Sequence, residues 1–96
     1  MTAYAMGELT IHNKDWMEEY THKIGPLLKK HGGEVVAKGQ PSLLEGKRPL
    51  PHVAICIAFP NSDAAKGWYN DPENQALVKL RQSGADFELR LVESGV

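Results

Sequence analysis

Ninety-six residues with 42% hydrophobic content make one small domain spanning 1–96, too short for a second core and near the lower size limit for a self-sufficient one. A net charge of -1, with Lys29-Lys30 beside His31 as the longest basic cluster, argues against a nucleic-acid partner, and no apolar run approaches bilayer length, which argues against a membrane. The single cysteine, Cys56, cannot form an internal disulfide, and the amino terminus lacks the basic-then-apolar pattern of a secretory signal, so a reducing, cytoplasmic setting is expected.

Tyr4 to Ile11 reads as a first strand. His12-Asn13-Lys14-Asp15 follows as a turn with cap-competent side chains, and Trp16, Tyr20, Ile24, Leu27 and Leu28 then recur at spacings of three and four, which predicts a helix with one apolar face. Pro26 falls inside that pattern, where it deletes the hydrogen bond to the carbonyl of His22 and is expected to kink or divide the helix. His31-Gly32-Gly33 stops it.

Glu34 to Gly39 is a short strand, and Leu43-Leu44-Glu45-Gly46 is a candidate extension ahead of an exposed loop, Lys47 to Pro51. Val53 to Phe59, VAICIAF, has no polar side chain and is expected to be covered on both faces. A helix capped by Asn61 or Ser62 turns Ala64, Ala65 and Trp68 inward, and Asp71-Pro72 starts another, with Ala76, Leu77 and Leu80 as its buried stripe and Gly84 as its end. Asp86 to Glu93 closes the chain as a strand with Phe87, Leu89 and Leu91 on one face.

The order β-α-β-β-α-β is that of the ferredoxin-like α+β fold, an antiparallel four-stranded sheet with its helices on one face. The helices leave the other face of VAICIAF bare, and a second copy packed on it through a two-fold axis supplies the missing layer, so the chain is expected to be a homodimer through its sheet face.

His31-Gly32-Gly33, Leu44-Glu45-Gly46, Phe59-Pro60, then Ala65, Trp68-Tyr69 and Arg81 resemble, in order and spacing, the domain-of-unknown-function family numbered 1330, within the dimeric α+β barrel superfamily. The resemblance runs from about Tyr4 to Val92 and implies a ferredoxin-like protomer that dimerises through its sheets. It implies no activity. Superfamily relatives include heme-degrading and quinol-forming monooxygenases, whose catalytic residues map onto no pattern here. An aromatic commonly stands in the family where this chain has Asn74.

Candidate ligand-binding residues are Tyr20, His31, Glu45, Trp68, Tyr69 and Arg81, of which His31, Tyr69 and Arg81 are the candidates for catalysis. Arg81 borders the buried stripe, where it either holds a carboxylate or pairs with Glu45 or Asp86 to tie helix to sheet. His31 is either a proton carrier or a helix-end cation opposed to the dipole. Trp68, Tyr69 and Tyr20 line a pocket or belong to the core, and Glu45 is a general base or a solvated loop carboxylate. Glu88 and Arg90 read as polar contacts at the edge of the dimer interface. The four histidines lack ligand spacing and Gly32-Gly33 follows a helix instead of opening one, so no metal and no cofactor is expected.

The expected protein is a homodimer with a small cleft between helices and sheet that binds, or acts without a cofactor on, a small organic acid or similar metabolite. A non-enzymatic structural or interaction module is the first alternative, and a cofactor-free or heme-dependent monooxygenase the second. No residue group in the sequence names a reaction.

Overall fold

A computed structural model describes residues 1–95. The elements are β1 (Ala3–Ile11), α1 (Met17–Lys30), β2 (Glu34–Gly39), β3 (Val53–Phe59), α2 (Ser62–Asn70), α3 (Pro72–Gln82) and β4 (Ala85–Glu93). The strands form one antiparallel sheet in the order β2-β3-β1-β4, with α1, α2 and α3 against one face, the ferredoxin-like arrangement. Register fixes which side chains meet the helices. Ala3, Ala5, Gly7 and Leu9 of β1 stand opposite Phe59, Ile57, Ile55 and Val53 of β3 on that side, and these alternate positions carry the core with Leu27, Leu28, Ala65, Trp68 and Leu77.

Local chemistry sets the helix boundaries. Asn61 caps α2, its Oδ1 accepting from the backbone N–H of Ala64 at 2.8 Å, and Asp71 caps α3, its Oδ1 accepting from the N–H of Glu73 at 2.9 Å, with Pro72 as the first helical residue. The turn before α1 works differently. No side chain caps that helix; Asn13 Oδ1 accepts from the N–H of Asp15, and the Asn13 carbonyl accepts from the Trp16 indole at 2.7 Å.

Three expectations are corrected. Pro26 does not divide α1, which runs unbroken through it; Pro26 and His22 are both exposed, so the carbonyl left without its donor lies on the solvent side of the helix. Leu43 to Gly46 extends no strand and belongs to an exposed loop, with Leu44 98% exposed. The buried stripe of α3 is Asn74, Leu77, Val78 and Arg81, the i, i+3, i+4, i+7 set, whereas Ala76 faces solvent. Two of those four buried positions are polar, which is why an apolar pattern alone misplaces the stripe.

The far face of the sheet has no helix over it. Met6 and Val92 are about half exposed there, and Ala54 and Cys56 only partly buried. The outer strand β2 is exposed along its whole length. Glu8 stands directly opposite Glu88 on this same bare face, an unfavourable pairing of like charges.

Candidate functional site

Arg81 lies on the buried side of α3 and is only 6% exposed. Its guanidinium carbon sits 4.4 Å from the centre of the Phe87 ring and 5.8 Å from that of Tyr20, and its Nη1 donates to the Tyr20 hydroxyl at 3.1 Å. Gly7 makes this stacking possible, because a Cβ at that position would collide with Cζ of Phe87. Nothing in the first-strand pattern marks Gly7 as special; only the cross-strand register reveals it.

Among the described residues Arg81 has no carboxylate partner, and its Nε, closed to solvent, has no hydrogen-bond partner. A guanidinium keeps its charge at any pH a protein meets. Two aromatic faces contribute roughly 0.5–2 kcal/mol each at best, against a desolvation penalty of several kcal/mol for a buried ion. The charge thus has no counter-ion among the described residues.

Arg81 lines a cavity of about 420 Å³ between α2, the end of α3 and β4. Its walls include Trp68 and Tyr69 from α2 and Phe87, Leu89 and Leu91 from β4. Trp68 supplies a second orphan: its indole Nε1 is buried without a partner among the described residues. The cationic residues of the wall are Lys66, Arg81 and Arg90, and the wall contains no Asp or Glu, in a chain whose net charge is -1. The volume is within the range of small-molecule sites. Larger depressions on the outer side of α1 and α3 and on the bare sheet face contain neither orphan donor.

The structure therefore brings together Trp68, Tyr69 and Arg81, with Tyr20 behind Arg81 as its hydrogen-bond acceptor. It does not bring His31 or Glu45 to that cavity. Glu45 is on the exposed loop, and the pairing of Arg81 with Glu45 or Asp86 is absent; Asp86 Oδ2 instead lies 2.8 Å from His12 Nε2. Glu88 and Arg90 lie 3.7 Å apart on β4, both largely exposed.

His31 belongs to a different cluster. Its Nε2 is 2.8 Å from Asp71 Oδ2, the same oxygen that accepts from Lys30 Nζ at 3.0 Å. These contacts, the His31 hydrogen bond first, hold the Asp71 carboxyl at about 2, below its ordinary 3.8, and the Glu73 amide adds to them. Lys30 is pushed up in turn, chiefly by its hydrogen bond to Asp71. The cluster ties the end of α1 to the corner between α2 and α3. Asn74 is 1% exposed and donates to the Tyr69 carbonyl at 3.3 Å, bracing that corner without lining the cavity.

With the fold and this geometry in view, comparison with known proteins identifies the class. The chain belongs to the family described as "Domain of unknown function (DUF1330)", whose model matches residues 2–95. No curated protein matches it in sequence. Among solved structures it is similar to RPA0582, a protein of unknown function from Rhodopseudomonas palustris, at 19% identity and TM-score 0.81, covering 99% of this chain and 83% of that one. SnoaB, a cofactor-independent oxygenase from Streptomyces nogalater, is similar at 12% identity and TM-score 0.69, covering 99% and 94%. A dimeric ferredoxin-like protein of unknown function from Jannaschia sp. CCS1 is similar at 11% identity and TM-score 0.66, covering 98% and 100%. At these identities the likeness establishes the ferredoxin-like fold and nothing finer.

Proposed function

We propose that this protein is a cytoplasmic homodimer that binds a small organic acid in the cavity between α2, α3 and β4, with Arg81 as the counter-charge. The observation that carries the reading is a buried guanidinium with an unpartnered Nε and no acidic partner among the described residues, on the wall of a cavity that contains no carboxylate. A carboxylate supplies the missing acceptor in the geometry a guanidinium prefers. Tyr69, 38% exposed at the rim, is the residue best placed to orient the bound acid or give it a proton.

Dimerisation through the bare sheet face is supported by the apolar side chains left half exposed there and by relatives described as dimeric. The free Cys56 fits a reducing compartment. A cofactor-independent oxygenase is the second reading. It rests on the likeness to SnoaB and requires oxygen uptake when the bound acid is offered without added cofactor.

Calorimetric titration of small carboxylates into the purified protein tests the site. Arg81→Gln is expected to weaken binding by about 10- to 100-fold, the scale of a charge-assisted hydrogen bond. If no acid binds and Arg81→Gln only lowers the melting temperature, the protein is a structural module instead. Sedimentation at micromolar concentration tests the assembly: the expected species is twice the chain mass, and Met6→Asp should halve it.

A further inference from the structure

The two residues with orphan donors both line the cavity and are anchored at different points along β1. Arg81 is anchored on Phe87, which stands opposite Leu9 of β1, and the Phe87 ring lies back over Gly7. Trp68 is anchored on Phe59, their ring centres 5.4 Å apart, and Phe59 stands opposite Ala3. From Gly7 to Ala3 is four residues of strand, roughly 13 Å at the usual rise. The two donor side chains are therefore rooted at separate points along the strand, on one cavity wall. Between those points the cavity wall is apolar, with Leu89 and Leu91 on the helix side of β4 and Ala5 and Ala65 beside them.

Resting on the acid-binding reading above, we infer that the ligand is two-headed: a carboxylate at the Arg81 end, an apolar body, and a second oxygen acceptor at the Trp68 end. The class is a dicarboxylate or an acid with a distant carbonyl. The carboxylate accepts from Arg81 Nε. The second acceptor takes the indole N–H of Trp68, with Lys66 on the same stretch of α2 adding positive charge at the rim. Both nitrogens are closed to solvent, so binding includes a small rotation of each side chain. A buried indole N–H left without an acceptor costs stability, and a site built for a single acid has no need of it.

The probes are straight-chain dicarboxylates from four to ten carbons and the monocarboxylates of matched length, each titrated into the wild-type dimer, Trp68→Phe and Arg81→Gln. One dicarboxylate length is expected to bind at least about tenfold more tightly than its matched monocarboxylate, the scale of one hydrogen bond to a charged group. Trp68→Phe keeps a ring and removes the N–H. It should erase most of that advantage, whereas Arg81→Gln weakens both series. Equal affinity of the two series for the wild type overturns the two-headed ligand and leaves the Arg81 site standing; that comparison needs no variant to fold. Loss of advantage in Arg81→Gln but not in Trp68→Phe overturns it in the same way. Failure of every acid to bind overturns the acid-binding reading as well.

Discussion

Asp71 and Arg81 are both buried charged residues of the same short helix, one at its start and one near its end, and they are satisfied in opposite ways. Asp71 has His31, Lys30 and the backbone N–H of Glu73 around its two oxygens. Arg81 has one hydrogen bond to the Tyr20 hydroxyl, two aromatic rings, and an Nε without a partner among the described residues. Burial alone thus does not separate scaffold from site. In the proposed reading what separates them is whether the polar groups around the charge are complete, because a completed cluster stabilises the fold and an incomplete one leaves an acceptor for a ligand to supply.

If Asp71 is scaffold, breaking it should produce the largest effect on stability. Asp71→Ala removes the α3 cap and leaves Lys30 and His31 without their common acceptor, and the melting temperature is expected to fall by about 5–10 °C. Scanning calorimetry reads this directly. Binding of carboxylates at temperatures where the variant is folded should be unchanged, since Asp71 does not line the cavity.

The next effect is one of pH. Asp71 is held at about 2 against an ordinary value of 3.8. A carboxyl depressed by folding contributes stability above its unfolded value and loses it as pH falls through the folded one, so the loss falls between about pH 4 and about pH 2. Urea midpoints measured across that window should decline more steeply for the wild type than for Asp71→Asn, which has no charge to lose. Parallel curves would show that the His31 and Lys30 contacts do not form in solution.

The contrast between these two residues also explains how much the sequence discloses. Element order, sheet topology and the helix starts at Asn61 and Asp71 follow from strand alternation and cap chemistry, which are local signals. Arg81 and the Trp68-Tyr69 pair are recognisable in the sequence as a group, and they do share one cavity. What the sequence does not disclose comes from contacts made across the chain. His31 is drawn to Asp71, 40 positions away, and Glu45 stays on a loop that nothing packs against the cavity. An apolar pattern leaves Asn74 out of the buried stripe of α3, and Gly7 matters because of a ring on another strand. No window of neighbouring residues contains those facts.

The smallest expected effect is the sharpest test of the contrast. Arg81→Met retains an apolar stem of similar length against Phe87 and removes a charge with no acidic partner among the described residues. The lost stacking on two rings and the Tyr20 hydrogen bond together are roughly 2–6 kcal/mol of favourable interaction, and the desolvation penalty relieved, several kcal/mol, is of similar size. The melting temperature should therefore move by no more than about 3 °C, in either direction, while carboxylate binding is lost. A fall as large as that of Asp71→Ala would mean that Arg81 is a finished structural contact after all. The difference between the two ends of α3 would then be one of partner chemistry only, with no ligand implied by it.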